Sequence, residues 1–230
     1  IYNNDKLKIN EKGSIIIDKK SEKIDYSFFK EKDKIKFNTN ITIENSPLNI
    51  NFLNYHKKKQ INSFLKIDAI IKKNEEITFN EIKYKENKNI VLVKELQLHK
   101  NFKIKDFKEI KINLINKNKL NNNIVIRKNN KKYEIFGDSY DLTMLIDEAL
   151  NSNNNSGMTK FLNNFDGDFK IKIGKANLDK SSKVKNIEGN LNIKKSKINN
   201  LNLTSKFSEK KILRLKIVTN KNNEKITTLF

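Results

Sequence analysis

From Phe165 to Val218 apolar residues fall on every second position, and that pattern restricts the chain more than any other feature. The segments are Phe165-Asp-Gly-Asp-Phe169-Lys-Ile171-Lys-Ile173, Ile187-Glu-Gly-Asn-Leu191-Asn-Ile193, Leu201-Asn-Leu203 and Leu213-Arg-Leu215-Lys-Ile217. Lys, Asn or Asp occupy the intervening positions, the two-residue period of a strand with one dry and one wet face. Polar runs at 179–183, 194–196 and 208–211 separate the segments and suit turns. A series of half-buried strands follows, and its dry face must be covered by something.

The same pattern runs back to the N-terminus. Ile35-Lys-Phe37-Asn-Thr39-Asn-Ile41-Thr-Ile43 alternates most cleanly, and Asn45-Ser-Pro47 ends it, because proline cannot donate to a sheet ladder. His56-Lys-Lys-Lys-Gln60 reads as a loop. Phe64–Ile71, Ile77–Tyr84, Ile90–Leu98 and Phe107–Ile115 are further strand candidates, followed by Ile124–Ile126 and Tyr133–Ile135. No helix-length insertion separates these strands, which argues for antiparallel pairing over parallel βαβ units. One interruption breaks the series. Leu142, Leu145, Ile146, Ala149 and Leu150 form a helical stripe that Asp141 can cap. The tract Asn151-Ser-Asn-Asn-Asn-Ser-Gly157 ends that helix, and 158–165 adds a short helix or turn. The resulting division is a sheet segment over 1–136, a helix-and-loop insertion over 137–164 and a second β unit over 165–230, in which Thr227–Phe230 starts another helix.

Composition sets few limits. The formal net charge of +21 would suit nucleic acid or an anionic membrane. Arginine, however, occurs only at 127 and 214, and the joint abundance of Lys, Asn and Ile matches the codons of an AT-rich genome. Phosphate or guanine readers favour Arg, whose planar fork binds them bidentately, so the charge reads as mostly solvated surface and no nucleic-acid partner is expected. No apolar run approaches the ~18 residues of a membrane span, and no signal peptide is visible. With Ile1 first, the chain is expected to be a fragment or mature piece whose targeting segment lies outside it. The absence of Cys excludes disulfides and thiolate metal sites.

Signals for chemistry are sparse. His56 and His99 stand apart from carboxylate clusters, so no metal is expected. Asp138, Asp141, Asp147 and Glu148 surround the helix, where capping and solvated-surface roles account for them better than acid–base chemistry. Gly167 and Gly189 fall within strand patterns and suggest bulges or bends. Phe28-Phe29-Lys30 and Tyr84-Lys85 interleave aromatics with cations, and core aromatics beside solvated Lys explain them. Neither a catalytic constellation nor a cofactor motif is present, and the chain does not read as an enzyme.

Residues 133–230 resemble the repeating β unit of the AsmA-like proteins, in particular the YhdP-type branch related to TamB, bridge-like lipid transport proteins. The segments carrying the resemblance are Tyr133–Leu142 leading into the helix, Phe169–Ile173 with Ala176-Asn-Leu178, Ile187–Leu191, Ile198–Leu203 and Leu213–Thr219 with Leu229-Phe230. Asn222-Asn-Glu-Lys225 departs from the small and acidic residues that the family often has at that junction. The resemblance implies an all-β, elongated, curved antiparallel sheet, a groove of taco-like repeating units with one short α-helical interruption. It also implies a non-catalytic lipid conduit or scaffold. Such proteins are anchored in the inner membrane of Gram-negative bacteria, span the periplasm and pass phospholipid towards the outer membrane. On this chain the groove would be lined by Ile171, Ile173, Ile187, Leu191, Ile193, Leu203, Leu213, Leu215 and Ile217, with Lys170, Lys172, Asn192 and Lys216 on the solvated face. The expected partners are phospholipid acyl chains, the inner membrane through an anchor missing from this chain, and further β units of the same polypeptide. Two other readings stay open: an outer-membrane β-barrel, which the helix and the lack of Trp oppose, and a basic β-sheet nucleic-acid binder.

Overall fold

In the computed structural model the described residues are 6–72, 76–143, 165–179, 181–194, 197–220 and 225–229. They form an all-β protein built on a mixed, open sheet, with no α-helix among them. The chain divides into two compact units, Ile1–Asn49 with His56–Ile110 and Ile50–Tyr55 with Lys111–Phe230. The division falls inside the span 1–136 that the sequence suggests as one sheet segment.

The first unit orders its strands as β1 (Lys6–Ile17), β2 (Lys20–Glu31), β3 (Lys34–Ile43), β6 (Ser63–Lys72), β7 (Ile77–Glu86) and β8 (Asn89–Leu98). In sequence, β3 and β6 are separated by the short strands β4 (Leu48–Ile50) and β5 (Tyr55–Lys57) and a 3-10 turn at Asn51–Leu53, of which Ile50–Tyr55 belongs to the second unit. The supposed loop at His56 is thus partly strand. Short β9 (Ile104–Asp106) pairs with β8. Tight two-residue turns join several hairpins without glycine. At the β1–β2 turn Asp18 and Lys19 both have positive φ, 47° and 61°, the geometry whose twist matches that of the flanking strands. Asn87 takes the same left-handed conformation at the β7–β8 turn, and Asn130 in the hairpin turn between Asn129 and Lys132, a role asparagine fills at little cost.

The second unit contains β10 (Glu109–Ile115) from Lys111 onwards, β11 (Asn121–Asn129), β12 (Lys132–Asp141), β13 (Gly167–Asn177), β14 (Lys183–Lys194), β15 (Lys197–Lys206), β16 (Ile212–Thr219) and β17 (Lys225–Leu229), in that order. Two sequence expectations need correcting. β12 and β13 run parallel, with Tyr133, Ile135 and Gly137 opposite Phe169, Ile171 and Ile173. Residues 142–166 connect them, enough chain for the crossover that parallel neighbours require. Thr227 onwards does not begin a helix either: Lys225–Leu229 is a strand paired antiparallel with β16. Ile226, Thr227 and Thr228 are β-branched and fit a pleated ladder better than a helical turn. β12 itself extends to Asp141, past the expected boundary at 136. The helical stripe of 142–150, the Asn-rich tract and most of 158–165 lie outside the described residues.

Each unit has its own buried polar knot. In the first, Glu22 accepts the backbone N–H of Glu44 at 2.8 Å and of Ser46 at 2.6 Å. Lys57, fully buried, donates to the carbonyls of Glu44, Ser46 and Lys58 at 3.2, 2.8 and 3.2 Å. Burial holds its ammonium below the usual lysine range, although Glu22 and Glu44 pull the other way. In the second, Asn122 accepts from the Asp141 N–H at 2.7 Å and donates to the Leu53 carbonyl at 3.3 Å, while Asn116 donates to Asp141 at 2.5 Å. Asp141 also accepts the Thr143 N–H at 3.0 Å, so it closes a local turn at the end of β12. Buried polar groups persist only when paired in this way.

Candidate functional site: the apolar sheet face

Residues directly opposite in paired strands share a face, so register decides which side chains meet. One row crosses the second unit as Ile135, Ile171, Gly189, Leu203 and Leu215. The adjacent row is Tyr133, Phe169, Leu191, Leu201 and Ile217. Ile173 lies opposite Ile187, Gly167 opposite Ile193, and Ser205 opposite Leu213. All nine predicted lining residues therefore occupy one face. Lys170, Lys172, Asn192 and Lys216 pair with Asn190, Glu188, Asn200 and Asn202 on the other.

Coverage along this face is graded. Ile171, Ile173, Ile187 and Ile193 are buried, whereas Leu191, Leu203, Leu213, Leu215 and Ile217 are half-buried. The open part of the face thus lies over β16 and at Leu203 of β15 and Leu191 of β14, rather than over all nine residues. Phe169 and Leu201 share the face and are buried as well. The same alternation that picks out the nine residues includes both. At the covered end an aromatic cluster closes the face: Tyr133 stacks on Phe169 at 5.1 Å between centroids and meets Phe165 edge-on at 5.4 Å. Gly189 leaves the gap that Leu203 fills; a Cβ there would lie 2.8 Å from Leu203 Cδ2 and 2.0 Å from the Asn202 carbonyl oxygen. The bulge or bend that the sequence suggests at Gly189 is not at that residue, which keeps register with Ile171 and Leu203; the β14–β15 register slips before it, between Lys185 and Glu188, with Asn186 at φ 51°. Gly167 likewise lies in the regular β13–β14 register.

The first unit has the same construction. Phe28, Phe37, Ala69, Phe79 and Leu96 lie in one row, and Ile24, Ile41, Leu65, Tyr84 and Val91 in another on the same face. Most of these are half-buried, with Ile41, Ala69, Tyr84 and Leu96 buried. Tyr84 here belongs to a sheet core rather than to a base-stacking platform.

The remaining candidates are dispersed. His56 Nδ1 lies 2.7 Å from Asn49 Oδ1, and His99 is 4.0 Å from Glu76 on the surface. Asp138 accepts from Asn123 at 2.8 Å, and Asp147 and Glu148 lie outside the described residues. Among the described residues no group of three or more His, Cys, Asp or Glu could hold a metal. No helix among them is long and apolar enough to cross a membrane. No family model matches the chain, and neither a curated protein nor a solved structure does.

Proposed function

We propose that this chain is part of a non-catalytic lipid-conducting β scaffold, holding acyl chains against the open part of its apolar face. The observation that carries this reading is the half-buried cluster of Leu191, Leu203, Leu213, Leu215 and Ile217 on one continuous sheet face. Aliphatic side chains left partly uncovered over neighbouring strands form the kind of patch that monomers rarely expose without a ligand or partner. Each acyl CH2 withdrawn from water there contributes roughly 0.8 kcal/mol. Lys and Asn stay on the opposite face, so the lipid path is free of charge. The full reading is an AsmA-like protein, inner-membrane-anchored and periplasmic, that moves phospholipid towards the outer membrane; the resemblance over 133–230 supports it.

The test is photocrosslinking in cells with a probe at Leu215 and, separately, at Lys216. Phospholipid attached at 215 and absent at 216 is the expected result. Equal labelling at the two positions, or none at 215 in folded protein, removes the conduit reading.

A further inference from the structure

The hairpin tip between β15 and β16 is apolar on both sides of its ribbon. Phe207 is 53% exposed and Ile212 58%, and every residue between them is exposed as well. Phe207 follows Leu203 and Ser205 at two-residue spacing and so continues the dry face. Ile212 lies opposite Lys206, in the parity of Arg214 and Lys216, and so stands on the wet face. The turn that carries the pair is fixed by its own backbone. The Phe207 N–H donates to the Lys211 carbonyl at 2.9 Å, and Ser208 and Lys211 exchange N–H to carbonyl bonds at 3.4 and 3.3 Å.

Single exposed hydrophobics are ordinary. Ile16 and Phe102, the most exposed large hydrophobics of the first unit, each stand alone beside a turn. Two other tips of the second unit are polar. Residues 129–132 close β11 and β12 with Asn and Lys alone. Between β13 and β14, Asp179 accepts from Ser181 and Ser182, and Leu178 beside it is half-buried. Exposed apolar side chains on both sides of one turn therefore mark the β15–β16 tip apart from these.

A groove on a folded partner would have to enclose both sides of the ribbon to cover this pair, whereas the hydrocarbon of a bilayer surrounds whatever enters it. Lys206, Lys210 and Lys211 flank the pair, with Glu209 as the acid of the turn. Long lysine stems leave their ammonium groups in the headgroup layer while apolar neighbours go deeper. We propose that this tip inserts into the interface of a phospholipid bilayer, Phe207 and Ile212 entering the acyl layer. Phe207 also ends the line of the dry face that runs through Leu203, next to Leu213 and Leu215 of β16, so the inserted tip brings the open part of that face to the lipid. As an entry for acyl chains the tip rests on the lipid reading given above; the insertion itself does not.

Charge is kept out of the test, because a chain of net charge +21 adheres to any anionic surface. The whole chain is mixed with zwitterionic phosphatidylcholine vesicles, with or without bromine on the acyl chains as a quencher. The sequence has no Cys, so Ser208→Cys and, separately, Lys131→Cys on the β11–β12 tip each carry a single bimane. Quenching by brominated vesicles at 208 and not at 131 is expected. Adding Phe207→Ser/Ile212→Ser to the first should lower the partition into vesicles about tenfold or more, the scale of withdrawing two large side chains from apolar contact. Thermal unfolding should stay unchanged, both positions being exposed. No quenching at 208, equal quenching at both positions, or quenching at 208 that survives the double substitution overturns the insertion. Quenching at 208 without phospholipid crosslinked at 215 leaves the insertion and removes the passage of lipid. Crosslinking at 215 without quenching at 208 removes the insertion alone.

Discussion

Phe169-Lys-Ile171-Lys-Ile173 in β13 and Leu213-Arg-Leu215-Lys-Ile217 in β16 have the same alternation, yet the apolar side chains of the first are buried and those of the second half-buried. Both rows lie on one face of one sheet. Their neighbours differ. β13 lies between two long strands, β12 and β14, with an aromatic cluster at one end. β16 has β15 on one side and only the five-residue edge strand β17 on the other. Side chains on a sheet are covered by their cross-strand and diagonal neighbours, so coverage thins towards β17. The period of a strand decides the face of a residue; its place in the strand order decides how dry that face is.

The sharpest way to break this comparison is to put the same charge into both rows. Ile173→Asp buries an unpaired carboxylate beside Ile187 and should cost about 4 kcal/mol or more, read as a lowered urea midpoint. Leu215→Asp, half-buried, should cost about 1–2 kcal/mol because water reaches the new charge. Similar losses at the two positions would mean that the graded coverage is not present in solution. The lipid assignment depends on that gradient, since only the open half can receive an acyl chain.

Glycine supplies a second contrast, smaller in effect. Gly189→Ala forces a Cβ to within 2.0 Å of the Asn202 carbonyl oxygen, which is backbone and cannot swing away. A loss of about 3 kcal/mol is expected, the upper end of overpacking costs. At Gly13, in the edge strand β1, nothing lies within 4 Å of the position a Cβ would take. Gly13→Ala should therefore change stability by no more than about 0.5 kcal/mol, if anything upwards. Thermal unfolding of both variants reads the difference. A mild effect at Gly189 would show that β14 and β15 separate easily at the bulge.

Much of this was legible in the chain. Alternation located the strands from Ile35–Ile43 to Leu213–Ile217, and parity placed nine residues on one face. What failed depends on distant partners. Parallel pairing of β12 and β13 follows from the length of the 142–166 connection, but the strand spellings are the same for either direction. Thr227-Thr-Leu carries no period long enough to separate strand from helix, and β16 as a neighbour decided it. Lys57, read within a Lys-rich loop, is fully buried because three backbone carbonyls converge on its ammonium. Nothing in His56-Lys-Lys-Lys-Gln60 distinguishes it from Lys58 or Lys59, both exposed.

The finest comparison is between two buried carboxylates of the first unit, Glu22 and Glu86. Burial pushes both carboxyls up. At Glu22 the hydrogen bonds from the Glu44, Asn45 and Ser46 backbone and the Ser46 side chain outweigh burial and leave the group below the usual carboxylate range. At Glu86 burial prevails over the Asn89 contact, and the group stays above that range. The two must therefore bend the pH dependence of stability in opposite directions. Glu22 binds protons less readily folded than unfolded, so its contribution is complete above the unfolded value of about 4.3 and is lost as pH falls through its lower folded value. Glu86 binds them more readily folded, so its contribution is complete below that value and is lost as pH rises through its higher folded one. Glu22→Gln should accordingly lower stability by about 1 kcal/mol at neutral pH and flatten the acid limb. Glu86→Gln should do the reverse, raising stability at neutral pH by up to about 1 kcal/mol and converging with the unmodified chain as pH falls. Urea unfolding midpoints measured from pH 3 to pH 7 separate the two variants. Curves of the same slope for both would mean that the backbone cradle around Glu22 does not set its charge.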